Sequence, residues 1–145
     1  MNKNFKYFHL SSESMYSILF EKIKLTKQKK SLIFLHGEIG AGKTSLVNSF
    51  IKYLDKKTIA TSPTFTLINE YNINNFKIFH YDLFRLNSPQ ELLEIGIDHY
   101  FSQEGIHFIE WPEKFLNLLP ISNYDIFFTI LKHSRLIKVV ENYQE

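Results

Sequence analysis

Apolar residues recur along this chain with two different periods. Leu32, Ile33, Phe34 and Leu35 form an unbroken apolar run between polar residues, the pattern of a buried strand. Leu46, Val47, Phe50, Ile51 and Leu54 then recur at helical spacing and predict a helix over residues 45–54. Upstream, residues 5–10 alternate as a strand. Ser11 or Ser12 offers an N-cap for a helix striped by Met15, Ile18, Leu19, Phe20 and Ile23 through about residue 26. Downstream, residues 55–57 read as a turn and Pro63 breaks any helix. Residues 65–71 and 76–82 read as the strands of a hairpin around a turn at 72–75. Ser88, Pro89 and Glu91 supply an N-cap, a first-position proline and a capping box for a helix ending near Gly96, with a further short helical turn at 98–101. Residues 106–109 predict another strand, and 124–131 and 136–140 two terminal strands around a turn at His133 and Ser134. Strands alternating with helices predict an α/β fold, a mixed sheet flanked by helices, in one domain over residues 1–145.

The link between the strand at 32–35 and the helix at 45–54 carries the chemistry. Gly37-Glu38-Ile39-Gly40-Ala41-Gly42-Lys43-Thr44 fits G-x-x-x-x-G-K-[ST], the P-loop pattern, in the strand–turn–helix context it requires. Successive backbone N–H groups of such a turn form a nest for anionic oxygens, and the helix that opens at Ser45 adds its positive dipole end. Gly37, Gly40 and Gly42 permit the backbone angles and close approach that a Cβ would hinder. Lys43 is expected to reach the β- and γ-phosphates, and the Thr44 hydroxyl to ligate Mg²⁺. The fold class predicted is therefore a P-loop NTPase domain.

A P-loop needs a carboxylate at the end of a neighbouring strand, to hold Mg²⁺ or to orient the attacking water. Asp82 and Glu110 both end predicted strands, and the strand before Glu110 is the more continuously apolar. The alternative reading of Asp82 is a turn or helix cap, and that of Glu110 a surface strand end. Thr64 lies in a proline-containing loop where γ-phosphate sensors are found, or is an ordinary strand-start threonine. Trp111, the sole tryptophan, is either a core residue or, beside Glu110, a contact for the nucleotide or a docked partner.

Composition narrows the classes. With no cysteine there are no disulfides, no thiolate catalysis and no cysteine-held zinc, and a cytoplasmic location is expected. No apolar run reaches 18 residues, so no membrane helix is expected, and the first residues lack the apolar core of a secretory signal. The net charge of +2 does not by itself imply nucleic-acid binding. Lys22, Lys24, Lys27, Lys29 and Lys30 form either a solvated face or a patch for phosphate or an acidic partner. The histidines show no zinc-ligand spacing, and His80 and His107 read as core or surface residues.

In order, the P-loop, Ser62-Pro63-Thr64-Phe65-Thr66-Leu67, Tyr81-Asp82-Leu83-Phe84-Arg85-Leu86, Glu94-Ile95-Gly96-Ile97 and Glu110-Trp111-Pro112-Glu113 resemble the TsaE family, formerly YjeE, across residues 10 to about 120. The resemblance implies an ATPase of tRNA threonylcarbamoyladenosine biosynthesis that uses ATP and Mg²⁺ and works with the TsaD and TsaB proteins. Contact with tRNA would then be indirect, through that complex. It also implies that Lys43 and Thr44 hold phosphates and metal, that Asp82 and Glu110 serve metal and water, that residues 62–64 form a switch-like loop, and that Ser12 lies near the adenine. Glu38 stands where the family often has Asp, and the resemblance assigns no site to residues 121–145.

The chain has only two arginines, Arg85 and Arg135, and neither sits in an evident lid, so low intrinsic hydrolysis with missing groups supplied by a partner is expected. A small-molecule or nucleotide kinase is the alternative, although such enzymes usually clamp phosphates with several arginines. A nucleotide-binding switch without useful hydrolysis is a further one.

Overall fold

Burial of both faces selects the central strands. In the computed structural model, which describes residues 3–143, β5 (Gly105–Glu110) is buried at every position and β2 (Lys30–His36) at all but its ends. Met1, Asn2 and the side chain of Lys27 lie outside the described residues, so part of the N-terminal reading and of the lysine cluster does too. The remaining strands are β1 (Lys3–Leu10), β3 (Ile68–Ile73), β4 (Phe76–Asp82), β6 (Tyr124–Ile130) and β7 (Arg135–Asn142). They join the central pair in a seven-stranded sheet of order β1-β7-β6-β2-β5-β4-β3. β4, β5, β2 and β6 run parallel, and β3, β7 and β1 are antiparallel additions. The sheet is mixed and flanked by helices, as expected.

Helices α1 (Tyr16–Ile23) and α2 (Lys43–Leu54) cover one face through Leu19, Phe20, Leu46, Val47, Phe50 and Ile51, packed on Ile33, Leu35, Ile106 and Phe108. Helices α3 (Pro89–Glu94) and α4 (Ile97–Phe101) cover the other, with Leu92, Ile97 and Phe101 against Leu32, Phe34, Phe79, Tyr81 and Ile109. Within this second layer, His107 donates to the Gln103 carbonyl at 2.9 Å and accepts from the Tyr81 hydroxyl at 2.7 Å. Burial pushes its pKa down to about 4, so His107 is a satisfied core residue.

Several elements differ from expectation, each for a local reason. The first helix stops at Ile23 because Lys24 is left-handed (φ 51°), and a short 3-10 turn precedes it at Glu13–Met15. Ser12 occupies the cap position of that turn without a side-chain capping bond. Ile18 is exposed, and Tyr16 takes the buried place on the stripe. The hairpin's first strand begins at Ile68 rather than 65, since hydroxyls and an amide serve the loop instead. Ser62 Oγ and Thr64 Oγ1 lie 2.7 Å apart, and Asn69 Nδ2 donates to the Thr61 carbonyl at 2.9 Å. The turn narrows to Asn74 and Asn75, both left-handed, a two-residue connection matched to strand twist. Ser88 caps α3 as expected, but the Glu91 carboxylate accepts from the Asn87 N–H rather than from that of Ser88.

Gly105 opens β5 at φ 138°, and a Cβ there would sit 2.4 Å from the Lys77 carbonyl oxygen. Gly105→Ala is expected to cost about 2 kcal/mol or more, from backbone strain plus displacement of β4. Urea unfolding measures this, and a loss below about 0.5 kcal/mol would contradict it.

Candidate functional site

The sheet register gathers the site at the carboxyl ends of the parallel strands, where α/β sheets bind ligands. Asp82 pairs with Glu110 across β4 and β5, and Leu35 pairs with Glu110 across β2. The glycine loop leaves β2 at this edge and enters α2 at Lys43.

Gly40 (φ 79°) and Gly42 (φ 110°) adopt the left-handed conformations the turn needs. Gly37 lies so close to Ala41 and Phe128 that a Cβ would meet both at 3.1 Å. The Ala41 N–H closes the turn onto the Glu38 carbonyl, and Ile39 projects into solvent at the tip.

Lys43 is buried, with its ammonium donating to the Gly37 carbonyl and standing 3.5 Å above the Trp111 ring centroid. No carboxylate among the described residues lies within ion-pair distance of it. Burial lowers its pKa, opposed by the charges of Glu110, Glu113 and Asp82. Trp111 thus belongs to the site's wall, against Phe84 at 4.9 Å between ring centroids, and holds a left-handed φ of 60°.

The Thr44 hydroxyl contacts both Glu110 oxygens, at 3.0 and 2.9 Å. Glu110 is buried, and His80 Nε2 donates to it at 2.5 Å from a fully buried ring whose Nδ1 has no partner among the described residues. Asp82 Oδ1 accepts from the Phe84 N–H at 3.1 Å, and burial raises its pKa. Asp82 is therefore both a turn cap and a neighbour of Glu110.

Ser12 also comes to the loop. It lines a cavity of about 220 Å³ with Tyr16, Gly40, Ala41, Gly42, Ser45 and Arg135. Thr64 stays within its own loop, bonded to Ser62, and Arg85 stacks 4.5 Å from the Phe65 ring.

Two residues named from the sequence, Arg135 and His80, receive no place at the site there. Arg135 donates to the Ala41 carbonyl at 3.1 Å and to that of Gly40 at 3.4 Å, so the C-terminal hairpin grips the glycine loop. No local pattern announces it. His80 could have been found, because it lies two residues before Asp82 on a strand and so shares its face.

The fold and site define a class, a mixed-sheet α/β protein with a glycine loop and acidic strand ends at one edge. Its family follows from comparison with known proteins. The family model for threonylcarbamoyl adenosine biosynthesis protein TsaE matches residues 10–137, and this chain belongs to that family. The tRNA threonylcarbamoyladenosine biosynthesis protein TsaE of Haemophilus influenzae is 42% identical over 98 residues, covering 68% of this chain and 62% of that protein. That of Rickettsia conorii is 34% identical over 138 residues, covering 94% of this chain and 78% of the relative. A crystal structure of YdiB from Bacillus subtilis superposes with a TM-score of 0.76 at 22% identity, covering 97% of this chain and 88% of that one, which shows the shared fold. The family is one of tRNA threonylcarbamoyladenosine biosynthesis.

Proposed function

We propose that this chain is a P-loop ATPase that binds ATP with Mg²⁺, hydrolyses it slowly alone, and acts with the TsaD–TsaB complex in tRNA threonylcarbamoyladenosine formation in the cytoplasm. The observation that carries the reading is Lys43, a buried cation resting on a neutral carbonyl and an aromatic face at the start of a helix. No carboxylate among the described residues pairs directly with it, and a nucleotide's β- and γ-phosphates would supply that partner.

The donor set fits Mg²⁺, which takes oxygen ligands and is usually held by one or two carboxylates plus phosphates. Thr44, Glu110 and Asp82 offer a hydroxyl and carboxylates at one edge. No three described His, Asp or Glu side chains converge as a metal site by themselves, so phosphate oxygens would complete the shell. Bound there, the ion would neutralise charge on the β- and γ-phosphates. Glu110, fixed by His80 and Thr44, and Asp82 beside it would divide the tasks of holding that ion's shell and orienting water. Glu38 and Ile39 would offer backbone N–H groups to the phosphates while the Ala41 N–H closes the turn behind them, Ser45 continues the helix start, and Thr64 would respond to the γ-phosphate. The cavity beside Ser12 supports a place for the base, and Trp111 for closing over the phosphates.

Slow turnover follows from the arginines. Arg135 is committed to backbone carbonyls and Arg85 is exposed on Phe65, so neither is free to act as a finger. Mg²⁺-dependent ATP hydrolysis, measured alone and with a matched TsaD–TsaB complex, tests the proposal. We expect stimulation of at least about tenfold. Rapid turnover of the isolated chain, on the order of tens per second, or phosphate transfer to a metabolite acceptor would overturn it.

A further inference from the structure

The residue just before the glycine loop is held more elaborately than any strand end requires. His36 ends β2 next to Gly37, whose carbonyl accepts from Lys43. Its Nδ1 lies 2.6 Å from Glu113 Oε1 and its Nε2 2.7 Å from Asp125 Oδ1. The ring stacks on Phe127 at 4.5 Å and 11°. Asp125 Oδ2 in turn accepts from Ser122 at 2.8 Å and from Asn142 at 2.7 Å. The histidine thus ties three segments together: the base of the glycine loop, the turn that carries Trp111, and the C-terminal hairpin.

Only the imidazolium donates from both nitrogens. A neutral ring could serve one carboxylate and would present a lone pair to the other. Glu113, nearly half exposed at 45%, is the arm more easily released, whereas Asp125, at 19%, is held by further donors. We propose that His36, as an imidazolium, is a positioning residue that sets the glycine loop against the Trp111–Glu113 turn, and that its deprotonation loosens the loop and weakens nucleotide binding. This rests on the nucleotide reading above.

Burial opposes the charge on His36, but bonds to Asp125 and Glu113 and their attraction outweigh it, raising its pKa to about 9. The same contacts hold both carboxyls below their ordinary values despite burial. The other charges nearby are Lys138, 5.8 Å from the far partner ring of Phe127, and Lys43, which acts on Glu113. Because the folded pKa lies above the unfolded one, the clamp is complete below the ordinary histidine value and is lost as pH rises through about 9.

Two measurements on the full chain test this. Long-range ¹H–¹⁵N NMR of the histidine rings should show His36 doubly protonated at pH 8, with a midpoint that falls in Glu113→Gln. An ordinary midpoint near 6.5 would overturn the clamp. Calorimetric ADP binding should be weaker by about tenfold in His36→Phe at pH 7.5, the scale of one charge-assisted bond, and that ratio should shrink towards one by pH 10. A ratio unchanged with pH, or ADP affinity unaffected while Tm falls, would reduce His36 to a stabilising contact and overturn the proposal. If the native protein bound no ADP at all, the nucleotide reading itself would fall, and the NMR midpoint would still judge the clamp separately.

Discussion

Lys43→Ala is expected to weaken ADP and ATP binding by about a hundredfold while leaving the protein folded. The ammonium is buried at the N-terminus of α2, where it donates to the Gly37 carbonyl and stands over the Trp111 ring, with no carboxylate in ion-pair distance among the described residues. Losing one partner of a desolvated charge pair with phosphate costs roughly 2–5 kcal/mol, and each 1.4 kcal/mol is tenfold. Stability should respond the other way. Burial lowers the lysine's pKa, so folding disfavours its charged form at neutral pH. Removing it should leave Tm unchanged or slightly higher. Calorimetric titration with ADP, alongside thermal unfolding, reads both effects. Binding within about threefold of native would mean that the phosphates do not lie at this loop.

Glu110→Gln should separate binding from turnover. The amide keeps the shape of the carboxylate, and its oxygen can still accept from His80 and Thr44. What disappears is the charge at the end of β5. ATP affinity should stay within a few-fold of native, while stimulated hydrolysis falls by about 10²–10³, the scale of one preorganised electrostatic group at a reacting centre. Single-turnover hydrolysis with the partner complex present measures it. Unchanged stimulated turnover would shift the chemistry from Glu110 to Asp82, whereas no product from either protein even with the partner complex would indicate a nucleotide-binding switch. Asp82→Asn is the companion variant, since Asp82 pairs in register with Glu110 and also caps the turn at Phe84.

Much of this was legible from local patterns. The apolar run of β2, the helical stripe of α2, the N-cap at Ser88 and the strand ends at Asp82 and Glu110 depend on neighbours a few residues away, so the chain displays them in order. Local chemistry also explains the errors. Residues 65–67 have strand-like composition, but the Thr66 hydroxyl bonds to Asn69 within the loop, and Phe65 is 83% exposed.

The amino-acid sequence by itself determined the glycine loop between β2 and α2, because a tight glycine-rich turn is a contiguous object that a short motif can encode. It also determined the alternation of strands and helices and, through several blocks in one order, the family resemblance. The tertiary structure alone decided what surrounds the loop. Placing β2 between β5 and β6 brings Glu113 and Asp125 to His36, and pairing β6 with β7 carries Arg135 back to Ala41. The diagonal between β4 and β5 sets His80 on Glu110. These partners lie far apart along the chain. Their meeting depends on strand order and register, which arise when both faces of the sheet are buried together and which no local period specifies.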